Sequence, residues 1–188
     1  MSPVRAALSL SLLVAAVLLV SCGPVDGGTA TKPGAEAANG EAPAITYVDS
    51  RYHYKVDAPG RMSANGDGTA SVIGPSERLE ISVIQGSNAA SPLALARDDA
   101  AKLPTSATNF RLISAPTEVT INHKKVEKLV YAYNAGTSSV TGKPNDLVGV
   151  RYYIPKDTST VAVLTYGVVA NHYDPQGADD IASTFQWQ

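Results

Sequence analysis

The sequence predicts an α+β fold, a largely antiparallel β-sheet flanked by helices. Three observations predict it. Segments of alternating apolar and polar residues recur from Tyr52 onward, separated by short runs rich in Gly, Pro and Asn. Two stretches carry a helix opening, Ser91-Pro92 and Asp174-Pro175, each a capping side chain followed by proline at the first helical position. Many strands joined by tight turns, with few helices between them, do not give the regular strand–helix alternation of a parallel sheet.

The 188 residues divide into three parts. Arg5 and the amino terminus supply a positive leader, and Ala6 to Val20 is an apolar run. At about fifteen residues it is shorter than the ~20 a spanning helix needs. It ends in Leu19-Val20-Ser21-Cys22, where a small residue precedes the single cysteine. This pattern reads as a lipobox: residues 1–21 form a signal peptide, and the Cys22 thiol carries the lipid, an anchor of palmitate-type acyl chains. Each buried methylene contributes ~0.8 kcal/mol, and stable attachment takes more than one chain, which a diacylglyceryl group supplies. With its only thiol so used, the chain forms no internal disulfide.

Residues 22–44 then read as the lipidated cysteine and a flexible tether. The segment is rich in Gly, Ala, Pro and Thr without apolar periodicity, so it buries too little to offset its ordering entropy. Its coil reach is roughly 25 Å. The expected location is extracytoplasmic, lipid-anchored to the bacterial cell or outer membrane. Gly23 places no acidic retention signal after the cysteine. Residues 45–188 remain as a single domain of about 144 residues, long enough to bury its own core. A formal net charge of -2 recommends neither nucleic acid nor a strongly cationic partner.

Within that domain, Tyr52 to Asp57 alternates Tyr52, Tyr54 and Val56 against His53, Lys55 and Asp57, a half-buried strand ended by Pro59-Gly60. Asn65-Gly66-Asp67-Gly68 is a turn before a short strand around Ala70 to Ile73. Arg78 to Gln85 sets Leu79, Ile81 and Val83 on one face. The first helix follows Ser91, with Leu93, Ala96, Ala100 and Leu103 at helical spacing, Arg97, Asp98, Asp99 and Lys102 on the other side, and Pro104 as its stop. Phe110 to Ile121 and Lys124 to Tyr133 flank Asn122-His123, two residues that tolerate positive φ and suit a tight hairpin. Pro116 marks a bulge or an edge.

Gly142-Lys143-Pro144-Asn145 makes another turn. Asp146 to Ile154 is a strand with Val148, Val150, Tyr152 and Ile154 inward and Arg151 outward. Thr160 to Val169 is apolar on both faces and reads as the central strand. The second helix runs from Asp174-Pro175 through Ala182, and Phe185 and Trp187 close the chain facing one way.

This order of elements resembles the PsbP-like superfamily, in particular bacterial PsbP-related lipoproteins. The residues that carry the resemblance are Tyr47-Val48-Asp49-Ser50 ahead of Tyr52-His53-Tyr54-Lys55-Val56-Asp57-Ala58-Pro59, then the Asn122-His123 hairpin. Leu129-Val130-Tyr131-Ala132-Tyr133, Arg151-Tyr152-Tyr153-Ile154, Val163-Leu164-Thr165-Tyr166 and Asp180-Ile181-Ala182-Ser183-Thr184-Phe185 continue it. The resemblance covers residues 45–188 and implies an α-β-α sandwich used as a non-enzymatic binding or assembly module. Members of that superfamily serve partners as different as photosystem II and a small GTPase, so the fold transfers no single function. Arg61-Met62 stands where the photosynthetic members often carry tryptophan, which argues against a photosystem role.

Candidate sites are few. His53, His123 and His172 fall in no metal-ligand spacing. His53 shares a strand face with Asp57 and lies near Asp49, so His53, Asp49 and Asp57 form the candidate zinc set, beside the plainer reading of solvated strand residues. No Gly-x-Ser-x-Gly elbow, phosphate loop or Ser–His–Asp grouping is present, and no enzyme is expected. Asp98-Asp99 and Asp179-Asp180 point about 100° apart and read as solvated helix faces. Tyrosine is in surplus, and Tyr52 with Tyr54 and Tyr131 with Tyr133 share strand faces. They form a candidate binding patch, against the alternative of cross-strand packing. The expected function is a lipid-anchored, non-catalytic module that binds a membrane-associated protein. The alternative is an envelope binder of a small ligand or metal ion.

Overall fold

The computed structural model describes residues 44–74, 76–86, 91–137 and 142–188. These lie within one compact unit, Gly40–Gln188. Cys22, the signal peptide and the tether before Ala44 lie outside the described residues.

Among the described residues ten strands and two α-helices, with a short 3-10 turn at Ala170–His172, follow in the order β1 (Ile45–Asp49), β2 (Tyr54–Ala58), β3 (Ser63–Ala64), β4 (Ala70–Ile73), β5 (Glu77–Gln85), α1 (Pro92–Ser106), β6 (Thr108–Ile121), β7 (Lys124–Thr137), β8 (Pro144–Asp157), β9 (Thr160–Val169), α2 (Pro175–Thr184) and β10 (Gln186–Trp187). The main sheet has seven strands in the order β3-β4-β5-β9-β8-β7-β6, and every neighbouring pair is antiparallel. A second sheet, β1-β2-β10, is antiparallel as well. The fold is therefore α+β with an antiparallel sheet between helices.

Strand alternation on the main sheet sorts its side chains between two cores. On one face Leu79, Ile81, Val150, Tyr152 and Leu164 meet Tyr54 and Val56 of β2, Ala178 and Ala182 of α2, and Phe185. On the other, Leu129, Tyr131, Tyr153, Val161 and Val163 meet Ala96 of α1. Because β9 is covered on both faces, nearly all its residues are buried, as its two-sided apolar sequence requires. Full burial of each such Val or Leu side chain contributes roughly 1.5–3 kcal/mol.

Local chemistry sets the element ends. Ser91 Oγ accepts from Ala94 N, and Asp174 accepts from the amides of Gln176 and Gly177, so both predicted caps form. Asn122 and His123 have φ of 50° and 61°, giving the twist that suits a two-residue hairpin between Ile121 and Lys124. The β6–β7 register shifts between Ser114 and Thr117, around Pro116, on the edge strand. Gly149 sits where only hydrogen is tolerated: a Cβ there would lie 2.5 Å from Cζ of the Tyr131 ring that crosses it.

Four readings are corrected. Helix α1 passes through Pro104 to Ser106, because a proline in the last turn removes a single backbone bond. The hydroxyls of Thr105 and Ser106 and the Ala107 amide donate to the carbonyls of that turn. Strand β2 begins at Tyr54 rather than Tyr52, since His53 takes φ of 58° and breaks the extended run. Arg151 is not a solvent-facing residue: it turns under α1 and pairs with Asp99. Asp99 and Asp179 do not simply face solvent: partly exposed, each also anchors its helix to β8.

Those anchors share one design. Adjacent residues Tyr152 and Tyr153 on β8 point to opposite sides of the sheet and are fully buried. Tyr153 donates to Asp99 Oδ2 at 2.6 Å, and the Arg151 guanidinium donates to the same oxygen at 2.6 Å. Tyr152 donates to Asp179 Oδ1 at 2.6 Å, and the Lys128 ammonium reaches that oxygen at 2.5 Å. Burial first, and then the adjacent carboxylate, hold both phenols well above their ordinary pKa. Each helix is thus pinned to β8 by an aspartate shared between a tyrosine and a cation.

Candidate functional site

A cleft of about 650 Å³ lies beside α2. Its walls come from the end of β2, the start of β5, the last residues of β9 and the outer side of α2. The α2 wall is held to β2 by Thr184, whose hydroxyl donates to Ile181 O at 2.8 Å and accepts from Asp57 N at 3.0 Å. Ala58, Pro59, Val168 and Ile181 give the cleft apolar surface, and Asp57, Glu77, Asp174 and Asp180 give it negative charge. Among the described residues its lining contains no lysine or arginine, and His172 is its one basic side chain.

Each carboxylate is held in place by a donor. Thr46 Oγ1 donates to Asp57 at 2.6 Å, and Tyr166 donates to Glu77 at 2.7 Å. The first amides of α2 donate to Asp174, and Gln176 Nε2 donates to Asp180 at 2.8 Å. Among the described residues none of the four forms a salt bridge with a lysine or arginine. Four fixed negative charges on partly apolar walls suit a cationic group carried on an apolar stem.

Ala44, the first described residue, lines this cleft.

Of the candidate tyrosine and zinc-set residues only Asp57 lines the cleft, joined there by His172 and Asp180. Tyr54 belongs to the core under β2, where it stacks on Phe185 with ring centroids 5.2 Å apart. Tyr52 packs at that core's margin beneath the Arg51 guanidinium. Tyr131 and Tyr133 lie on the opposite face of the main sheet, against α1. The four do not form one patch, because β2 covers one face of the sheet and β7 turns these two rings to the other. Burial above all raises the Tyr54 and Tyr133 phenols.

The proposed zinc set does not converge either. Asp49 accepts from the Arg51 and Tyr52 amides, closing the β1–β2 turn, while Asp57 pairs with Thr46 three residues along the ladder. At ~3.3 Å per residue that separates them by about 10 Å. His53 is exposed in the turn itself. No group of three or more His, Cys, Asp or Glu able to hold a metal ion occurs among the described residues. The cleft was not visible in the sequence, since its residues come from segments far apart in the chain and each reads locally as a cap, a turn or a solvated charge. No helix of the described residues is long and apolar enough to cross a membrane.

No family model and no curated protein matches the chain. Among solved structures it is similar to a protein from Bacteroides thetaiotaomicron VPI-5482, with 13% identity and a TM-score of 0.49 over 76% of this chain and 48% of that one. It thus spans about half the length of that relative. It is also similar to PA94 of Pseudomonas aeruginosa, a protein of unknown function, with 15% identity and a TM-score of 0.45 over 75% of this chain and 94% of that one. A third is the Ran-binding protein Mog1p of Saccharomyces cerevisiae, with 10% identity and a TM-score of 0.49 over 78% of this chain and 96% of that one.

Proposed function

We propose that this chain is a lipid-anchored, non-catalytic extracytoplasmic module of the PsbP-like superfamily that binds a membrane-associated protein partner through the acidic cleft. The observation that carries the reading is the place of Ala44 in the cleft wall. A tether rooted there, with Cys22 in the membrane at its other end, keeps the cleft within roughly 25 Å of the bilayer. Any membrane protein with a short exposed loop comes within that reach. The partner surface complementary to the cleft is a loop bearing lysine or arginine, because the cleft offers four carboxylates without a lysine or arginine of its own.

The test is crosslinking of native membranes followed by mass spectrometry, with the wild-type chain and Cys22→Ala compared. The expected result is one reproducible partner, crosslinked near the cleft and lost when the lipid anchor is removed. Absence of any partner in both forms overturns the reading. It would favour the cleft as a small-ligand site, whose volume lies in the usual ~300–1,000 Å³ range for such pockets.

A further inference from the structure

A second pocket lies apart from the acidic cleft, between the β6–β7 hairpin, the end of α2 and β10, and has a volume of about 190 Å³. Its walls are largely apolar, formed by Ile121, Val126, Ile154, Ala182, Phe185 and Trp187, with polar Asn122 and Gln186 beside them. Its charges have the opposite sign to those of the cleft. Lys124 lines it, and the Lys156 ammonium sits 5.2 Å from the centre of the Trp187 ring. Neither lysine has a salt-bridge partner among the described residues. The Trp187 indole, held edge-on against Phe185 and Tyr54, keeps its Nε1–H buried without an acceptor among the described residues.

We infer that this pocket binds a small monocarboxylate: a short apolar group seated among Ile121, Ile154 and Phe185, with its carboxylate between Lys124 and Lys156. Size sets the apolar part. At roughly 27–30 Å³ per heavy atom, by comparison with water's share of liquid volume, 190 Å³ takes six or seven atoms, too few for a lipid chain. Charge sets the head group. Lys124 at the lining and Lys156 over the Trp187 ring, both exposed at the pocket's rim, favour a carboxylate over a neutral or cationic end of the same length. The acid enters either free or as the last residue of a peptide, and the two present the same chemistry. The inference is independent of the acidic cleft and its partner.

The protein carries one tryptophan, so the pocket reports on itself. The full chain in neutral detergent is titrated with hexanoate, N-acetyl-leucine, hexanol and hexylammonium, and Trp187 emission is followed beside saturation-transfer NMR of each probe. The expected result is saturable binding of hexanoate or N-acetyl-leucine, with hexanol and hexylammonium at least tenfold weaker. Whichever acid binds more tightly identifies the source, free acid or peptide terminus. The pair Lys124→Gln/Lys156→Gln should weaken the acid at least tenfold by NMR, while Lys125→Gln, whose lysine pairs with Glu118 outside the lining, should leave it unchanged. No saturable binding of either acid overturns the inference. So does hexanol binding as tightly as hexanoate, or a double variant that binds as the wild type does.

Discussion

Asp179 and Lys128 form an ion pair whose two halves are unequally wet, and the inequality predicts unequal mutational costs. The Lys128 side chain is 13% exposed and that of Asp179 is 39% exposed. Asp179→Ala leaves a largely buried ammonium and the fully buried Tyr152 hydroxyl without their shared acceptor. Stranding a charge costs about 3–5 kcal/mol in a fully buried pair. The partial exposure here discounts that figure, and the lost tyrosine bond adds about 1 kcal/mol, so about 3 kcal/mol is expected. Lys128→Met does less harm. Asp179 is wet enough to be hydrated and keeps the Tyr152 donor, which leaves a cost of about 1 kcal/mol.

The pair Lys128→Met/Asp179→Leu removes both charges and should recover part of the loss, ending well above Asp179→Ala. Urea unfolding followed by Trp187 emission measures all three, and thermal melts should show a drop of about 6–12 °C for Asp179→Ala in a domain of this size. Equal losses for Asp179→Ala and Lys128→Met would refute the argument from exposure. A double variant no more stable than Asp179→Ala would refute the stranded charge as the cause.

Two further outcomes follow from the packing. Gly149→Ala pushes a methyl group into the Tyr131 ring and should cost about 1–3 kcal/mol by overpacking. Urea unfolding should show the loss largely relieved when Tyr131→Leu is added, and no relief would place the strain elsewhere. Alkaline pH should unfold the protein, because burial raises the phenols of Tyr54, Tyr152 and Tyr153 above the ordinary value near 10. A phenol with a raised folded pKa contributes its full stability below that ordinary value and loses it as pH rises further. Each costs about 1.4 kcal/mol per pH unit above it, and the three together roughly 4. Melting temperature measured from pH 9 upward should stay level and then fall steeply. A flat profile to pH 11.5 would show that these hydroxyls ionise as readily in the fold as out of it.

The sequence was readable where a residue answers to its immediate neighbours. Asn122-His123 announced the hairpin because two positive-φ residues are a local demand, and the Ser91-Pro92 and Asp174-Pro175 caps were local for the same reason. It was unreadable where distant elements decide. The strand period told that Arg151 and Tyr152 face opposite ways, but not that α1 covers the Arg151 side and turns a polar face into a buried ion pair. The tyrosine pairs failed as one patch for a related reason. Alternation fixes which residues of a strand share a face, while the strand order that puts Tyr54 and Tyr131 on opposite faces of the main sheet arises from contacts far apart in sequence. Pro104 misled differently, since its helix-breaking rule weakens in a last turn where few bonds remain to lose.

The pairing of β2 with β10 also sets a clock. Lys55 lies opposite Gln186, so one of the earliest strands to be made waits for one of the latest. At about 5–20 residues per second, a ribosome needs on the order of ten seconds to cover that interval. Through that wait Tyr54 lacks Phe185 and Trp187, the rings that complete its packing. Until the last strand is made, the chain thus carries a half-built apolar edge, whatever the speed of its folding. Holding factors have that window in which to act, and it shuts when the final aromatic residues arrive.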